Sequence, residues 1–476
     1  MRQYIKHLSF PFAIIVIVFL SCSVRSEGRE RYGTGLTESG SDKPAYTIFT
    51  NPAQDCSTSM NISWATPPGI KWQIEVVDDE TGNKYIYDYD ESFFNDKGVR
   101  DSVTDKLYYY PYVYRCETFN NIKSKLANGA DVVEKHIFDK HGYELFDLEP
   151  DKDYSYKIIT YNDSTGEEEY SDTYRFHTAG APEWKAAVIG DFHHYSPLWG
   201  RMESAMDMID VIDSVSGGID WVLSTGDQCA AGGLYNSWTE LSEQPNYKNY
   251  MWASVQGNHD NMTLDSKERN DNFFRDSHYF PYNGYEGQEG TSYWFKYGDV
   301  LFIMLNNEEL RFKGKFEPAV QWMEQVVKDI PSKYVVVVEH HQWIIGQDGT
   351  KSQLERFHQI FDRLGVDLAI SGHNHVYLRT YPLRAKQPVT PEEGTYYVVN
   401  SSSDNSRGRD MKPLKDNAGL IEKRWSEGSN TMGGMLMDVS PERIVMTLYD
   451  RYGTPQDSFT VPAKDKSRIL ELVAQP

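Results

Sequence analysis

The sequence predicts an all-β sandwich followed by an α/β domain, and three observations lead there. From Tyr46 to about Thr178, short segments alternate apolar and polar residues between turn signals, as half-buried strands do. After Ala179-Gly180-Ala181-Pro182 the pattern changes to short apolar runs separated by helical stretches, the mark of an α/β sheet. The composition, 39% hydrophobic and 14% aromatic over 476 residues, is enough to bury two such cores.

The first residues read as an export signal. Arg2 and Lys6 precede the apolar run Leu8–Leu20, which is too short to span a bilayer and suits a signal h-region. It ends in Phe19-Leu20-Ser21-Cys22, similar to a bacterial lipobox, so residues 1–21 are read as a signal peptide and Cys22 as a lipidated mature N-terminus. A secreted protein cut nearby is the alternative, and a periplasmic or outer-membrane lipoprotein is the expectation. Residues 22–43, rich in Gly, Ser and charge without apolar period, read as a flexible tether.

Residues 44–179 form the predicted sandwich. Ile62 with Trp64, Ile74 with Val76, Tyr154 with Tyr156 and Ile158, and Tyr174 with Phe176 mark its strands, and Pro67-Pro68-Gly69 marks a turn. The stretch Asp78–Lys140 is long for a minimal sandwich and is expected to carry an insertion, its tyrosines serving strand packing. Cys56 and Cys116 are either a disulfide or two buried thiols, and spacing does not choose.

In the second domain, residues 184–460 ahead of a tail from 461 to 476, five apolar runs end in polar residues able to bind metal. Ala186–Ile189 leads to Asp191 and His193, Trp221–Leu223 to Asp227, and Trp252–Val255 to Gly257-Asn258-His259-Asp260. Val335–Val338 leads to His340 and His341, and Val366–Ile370 to Gly372-His373-Asn374-His375. Ligands of open α/β sheets bind beyond the carboxyl ends of the strands, so the five tips can converge on one site. Asp, His and Asn together suit divalent Zn, Mn or Fe rather than a soft thiolate site. Val300–Leu305 is a further strand whose exit, Asn306-Asn307-Glu308-Glu309, shows no evident ligand, and Met202, Met206, Ile209 and Ile212 read as the buried face of a helix.

Lys plus Arg number 48 against 70 Asp plus Glu, a net charge of −22. That excludes a protein that binds nucleic acid or anionic lipid through bulk charge, and it means a phosphate substrate needs local positive charge, most simply metal. Membrane contact is expected only through the lipid at Cys22.

The order DxH, GD, GNHD, paired His after a valine run, and GHxH resembles the calcineurin-like metallophosphoesterase superfamily. Within it, Gly372 to Pro382 and the valine-rich approach to His340 are similar to purple acid phosphatases, which carry a fibronectin-like sandwich before the catalytic domain. The resemblance implies two packed mixed sheets flanked by helices, and two divalent ions. One would be held by Asp191, His193, Asp227 and His375, and the other by Asp227, Asn258, His340 and His373, with Asp227 bridging. It further implies in-line attack on phosphorus by a metal-bridging hydroxide, with His259 protonating the leaving oxygen or stabilising the transition state and Asp260 orienting its imidazole. The Val-x-x-His alignment through Val337 selects His340 over His341.

Two positions depart from the purple pattern. His193 stands where that family has glycine, and Ala230 where it has the tyrosine that colours ferric iron, so the protein is expected not to be purple and to hold two divalent metals, one of which can be iron. Arg201, Arg379 and Arg407 are the cations that can meet a phosphate, Arg379 being read first as a structural ion pair. Cys229 reads as a small buried filler, and His194 and His341 as pocket or supporting residues. The expected activity is hydrolysis of a small phosphate ester, monoesters favoured over diesters. A surface binding protein with a vestigial phosphoesterase domain is the alternative from another class, against which stands the completeness of the ligand set.

Overall fold

The computed structural model describes residues 43–464 and 466, except 68, 89–98, 101–106, 109–111, 121–133, 163–164, 195–200, 234, 263–271, 309, 311–315, 345–352 and 412–417. The signal segment, Cys22 and the tether to residue 42 lie outside the described residues, as does the end of the chain from 467. Among the described residues no helix is long and apolar enough to cross a membrane.

Among the described residues the N-terminal part holds two large antiparallel sheets and a two-stranded pairing of Val99–Arg100 with Leu107–Tyr108. One orders its strands Tyr46–Pro52, Met60–Thr66, Glu134–Leu145 and Tyr112–Asn120; the other runs Glu168–Tyr170, Asp153–Tyr161, Lys71–Asp78 and Lys84–Asp88, with Tyr174–His177 also paired to Asp153–Tyr161. Alternation decides the inner face. In Lys71–Asp78 the side chains of Trp72, Ile74 and Val76 are buried while Lys71, Gln73 and Glu75 turn outward. Trp72 meets the edge of Trp64 from the facing sheet, ring centroids 4.7 Å apart. Strand Tyr112–Asn120 falls inside the stretch expected to carry an insertion and Glu134–Leu145 begins within it, so part of that stretch is sheet. Tyr87 packs edge-on against Tyr143, which bears on the tyrosines as packing residues. Cys56 is a buried free thiol whose Sγ lies 3.9 Å from Met251 Sδ, so of the two alternatives for this residue the structure shows the thiol and not the disulfide.

The second part has two mixed sheets. In the first, Trp184–Ile189, Trp221–Ser224 and Met251–Ser254 are parallel, and Gly433–Val439, Arg443–Asp450 and Pro455–Pro462 extend the sheet antiparallel on the other side of Trp184–Ile189. In the second, Val300–Leu305, Tyr334–Glu339, Leu368–Ser371 and Tyr396–Val399 are parallel, edged by the antiparallel Tyr293–Tyr297 on one side and by Tyr377–Thr380 and Ile421–Trp425 on the other. The sheets share a core that contains Val188, Phe302, Val336, Val338, Ile370 and Met437. The opposite face of the second sheet, Ile303, Val335, Val337 and Ala369, packs instead on helices Phe316–Asp329 and Leu354–Leu364. Being covered on both faces, these central strands are continuously apolar, which is why the sequence reads Val-Val-Val-Val there. Helix Arg201–Ser216 covers the first sheet, with Met206, Ile209 and Ile212 buried as expected and Met202 partly so. The last strand runs to Pro462, and Lys464 and Lys466 still reach Val366 and Asp367, so the chain remains part of the domain beyond the boundary expected at 460.

The two parts share a polar seam. Asn51 donates through Nδ2 to Trp252 O at 3.1 Å and accepts from Tyr279 N at 2.9 Å. Lys140, 1% exposed, directs its ammonium to the carbonyls at the end of helix Asn272–Ser277, including His278 O at 2.9 Å. A cation at a helix C-terminus is favourable on two grounds, since it satisfies orphan carbonyls and opposes the helix dipole. Backbone bonds from Cys56 N to Lys296 O and from Lys296 N to Gln54 O complete the seam.

Two outcomes follow from this seam. Asn51→Ala takes a partner from a buried carbonyl and a buried N–H, about 1–3 kcal/mol for each group left unsatisfied, and the urea midpoint of the whole chain should fall in one transition. Asp276, on the same helix, has its carboxyl pushed up to about 8 by burial. Its folded value lies above its unfolded one, so its contribution is full below about pH 4 and is lost as pH rises through about 8. The stability advantage of Asp276→Asn over the wild type should therefore grow across that window in a pH series of urea melts.

Candidate metal centre

The loops that leave the strand tips turn sharply, and the backbone shows it. Asp191, His193, Asp227, His373 and His375 all have positive φ, between 48° and 75°, a region that side chains with a Cβ seldom occupy. Such conformations cost about 1–3 kcal/mol each and collect at functional sites. Here they are held by bonds between loops: Asp191 N donates to Gly226 O and His193 N to Asp227 O, both at 3.0 Å, and His194 N to Gln228 O at 2.7 Å. The neighbouring glycines leave the space this closeness requires. A Cβ on Gly257 would lie 2.2 Å from Asp227 Oδ1, and one on Gly372 would lie 2.4 Å from Asp191 Oδ2. The glycines that open the GNHD and GHNH motifs thus make room for the carboxylates.

Asp191, His193, Asp227, His340 and His375 form a buried floor, each 2% exposed or less, while Asn258, His259 and His373 are half-buried at its opening. Asp227 lies at the centre. Its Oδ1 accepts His259 N–H at 2.8 Å, and its Oδ2 faces His193 Nε2 and His340 Nε2, each at 3.2 Å. Asp191 accepts the His373 N–H on both carboxylate oxygens, at 2.9 and 3.0 Å, and faces His375 Nε2 at 3.4 Å. His340 Nε2 lies 3.2 Å from Asn258 Oδ1 and 3.2 Å from His373 Nδ1. All seven side chains expected to ligate metal are therefore brought together.

The histidine tautomers are fixed from behind. A carbonyl oxygen can only accept, so His340 Nδ1 carries a proton toward Thr225 O and His375 Nδ1 one toward Arg407 O, each at 2.8 Å. That turns the Nε2 lone pair of each toward the carboxylates, the arrangement by which a metal ligand is oriented. Among the described residues the buried His193 Nδ1 has no hydrogen-bond partner, and its Nε2 meets only Asp227 Oδ2, at 3.2 Å without hydrogen-bond geometry, which leaves the ring nitrogen free to ligate. Three groups of side chains could hold a metal: Asp191, His193 and His375; Asp227, His340 and His373; and His193, Asp227 and His259. Two buried carboxylates among imidazoles, with an orphaned nitrogen, fit divalent cations.

The electrostatics agree. Burial works against the charged form of Asp227, yet the charges of His340 and His259 outweigh it and hold the carboxyl well below the usual range. Burial also opposes protonation of His340, but Asp227 beside it pushes the imidazole up to about 10. His193, buried and near the positive charges of His375 and Arg407, is pushed down to about 3. Without a cation, a proton on His340 offsets one of the two carboxylate charges; a metal would replace it.

His341 turns away to Glu308, and the structure thus orients His340, not His341, toward Asp227. Glu308 is the residue that the sequence did not flag, although the polar run after Leu305 carried it. His194 bonds Glu240 at 2.7 Å. Arg379 is engaged by Asp457 at 2.7 Å and by Glu422, a structural ion pair. Cys229 is buried, and burial pushes its thiol well above the ordinary value, in keeping with a filler. The role expected of Asp260 is corrected. Its carboxylate accepts three backbone N–H bonds, from Asp227 and Cys229 at 2.9 Å and Gly257 at 2.8 Å, and so ties two ligand loops together. The His259 ring is oriented instead by Ala230 O, 2.8 Å from its Nδ1.

Gly257→Ala should destroy this packing and Asp227→Asn should remove the central charge without changing shape. Both are expected to lose metal binding by elemental analysis after reconstitution, the first with a lowered melting temperature and the second with little change in the metal-free protein's circular dichroism.

Comparison with known proteins places the cluster in context. Residues 185–377 match the model of the Metallophos family, calcineurin-like phosphoesterase. No curated protein matches the sequence. Among solved structures, the chain is similar to purple acid phosphatase PPD1 from seeds of yellow lupin (Lupinus luteus), with TM-score 0.66 and 15% identity over 91% of this chain and 77% of that one. It is also similar to PhoD, with TM-score 0.53 and 12% identity over 91% of this chain and 98% of that one. At these identities the likeness is one of fold, and it extends through the β-rich N-terminal region as well as the second domain. The strands and loops that assemble all seven expected ligands, from Asp191 to His375, thus lie within the segment, residues 185–377, that matches the calcineurin-like phosphoesterase model.

Proposed function

We propose that the protein is an exported, dinuclear metal-dependent phosphoesterase that hydrolyses phosphomonoesters. The observation that carries this reading is the place of Asp227, whose Oδ2 lies 3.2 Å from both His193 and His340, one from each side of the cluster. A carboxylate so placed can hold two cations at once, the arrangement of two-metal hydrolases. Asp191, His193 and His375 would complete one ion's shell, and Asn258, His340 and His373 the other's. When bound, the metals would polarise the phosphoryl group and make water acidic enough to attack phosphorus at neutral pH. Export rests on the Leu8–Leu20 run and the cysteine that follows it.

The chain's own part is positional. The Asp191 and Asp227 carboxylates, fixed by the N–H groups of His373 and His259, keep their geometry while charge changes around them. His259 holds its Nδ1 proton against Ala230 O, which leaves Nε2 as the atom able to meet the leaving oxygen or an oxygen of the phosphoryl group. Its half-buried place at the opening suits contact with substrate from above the buried floor.

Metal-loaded protein should hydrolyse a chromogenic phosphomonoester faster than the matching diester, and Asp227→Asn should abolish both activities; silence on both esters with two metals bound per chain would sink the reading. His259→Ala should lower kcat about 10²–10⁴-fold on an ester with a poor leaving group and much less on one with a good leaving group, with metal content intact. Loss of metal in that variant would assign His259 to the metal shell instead.

A further inference from the structure

Arg407 ends a loop that is fixed almost residue by residue. Ser402 Oγ donates to Asp191 O at 2.8 Å and Ser403 N to Gly190 O at 2.9 Å. Asp404 Oδ1 accepts from Ser406 N at 2.6 Å and from Ser406 Oγ at 2.8 Å. Arg201 braces the same loop: its Nε donates to Ser406 Oγ at 3.0 Å and lies 3.3 Å from Asp404 Oδ2, and its Nη1 donates to His193 O at 3.2 Å. The loop is then anchored at its far end, where Arg407 O accepts from His375 Nδ1 at 2.8 Å.

The two guanidinium groups differ in occupation. Arg201 is engaged with protein oxygens, whereas Arg407 Nε is buried and finds no hydrogen-bond partner among the described residues. Arg407 stands beside the cluster all the same, its carbonyl on the His375 ring and its neighbour Arg201 on the backbone of His193. A planar guanidinium short of acceptors is the group best suited to phosphoryl oxygens.

We propose that Arg407 is a substrate-binding residue that donates to a non-bridging oxygen of the phosphoryl group and favours a dianionic monoester over a monoanionic diester. This rests on the phosphoesterase reading above. A monoester offers one more anionic oxygen than a diester, and esterification of that oxygen removes the acceptor and places a carbon group against the guanidinium. Arg201 is a positioning residue: it touches the loop and the backbone of His193, and sets where Arg407 stands.

The test is calorimetric titration of the metal-loaded protein with inorganic phosphate, beside kinetics on matched mono- and diesters. Arg407→Met should weaken phosphate binding by about tenfold or more, with metal content unchanged. It should lower kcat/KM for the monoester by about 10–100-fold and for the diester by less than about threefold. Arg407→Lys, which keeps the charge as a point donor, should fall between and serves if the methionine variant fails to fold. Phosphate affinity equal to wild type in either variant, or equal losses on the two esters, overturns the proposal. Should the wild type hydrolyse neither ester, the phosphoesterase reading fails, and the phosphate titration still decides whether Arg407 binds a phosphoryl oxygen.

Discussion

Two carboxylates with almost no exposure, Asp191 and Asp227, share one pocket, and most of the catalytic domain's local structure can be understood as what that placement requires. Like charges out of water repel and are poorly solvated, so they persist only with close compensation. Compensation comes in three forms: N–H groups aimed at the oxygens, imidazoles facing them, and room for cations. Each demands that loops from different strands approach more closely than side chains ordinarily allow. The left-handed backbone at five of the ligands and the glycines beside them follow from that demand.

The same constraint requires both sheets. Asp191, Asp227 and Asn258 leave parallel strands of the first sheet, while His340 and His373 leave parallel strands of the second. Acidic ligands therefore come chiefly from one sheet and the imidazoles facing Asp227 Oδ2 from both. The shared core between the sheets sets the distance between the two sets of tips, so packing far below the site governs the geometry at its mouth.

The strand tips were legible in the sequence because each is a polar residue at the end of an apolar run, and the chain changes character there as it leaves the core. His340 could be separated from His341 by its register with the valine run, and the two rings do part, one toward Asp227 and the other toward Glu308. What was not legible were partners chosen by folding rather than by neighbourhood. Asp260 follows His259 in the chain, but successive residues of a tight turn point apart, and its carboxylate reaches backbone N–H groups of residues 227 and 229 instead. Glu308, Ala230 and Arg407 contribute through contacts of 29 to 33 residues' separation that no local pattern encodes. Cys56 shows the same limit, since its surroundings were set by Met251, far along the chain, and not by the spacing to Cys116.

The seam between the two parts also bears on how such a chain can be inherited. Asn51 holds the backbone at Trp252, and Trp252 lies in the strand that leads to Asn258, so the sandwich grips the strand that delivers one of the expected ligands. A lineage that exchanged the sandwich for another module would have to rebuild the Trp252 and Tyr279 contacts and the cap that Lys140 supplies to the helix beside them. Recombination would then preserve the two parts as one cassette, and variation would accumulate in the loops around the opening rather than at the join.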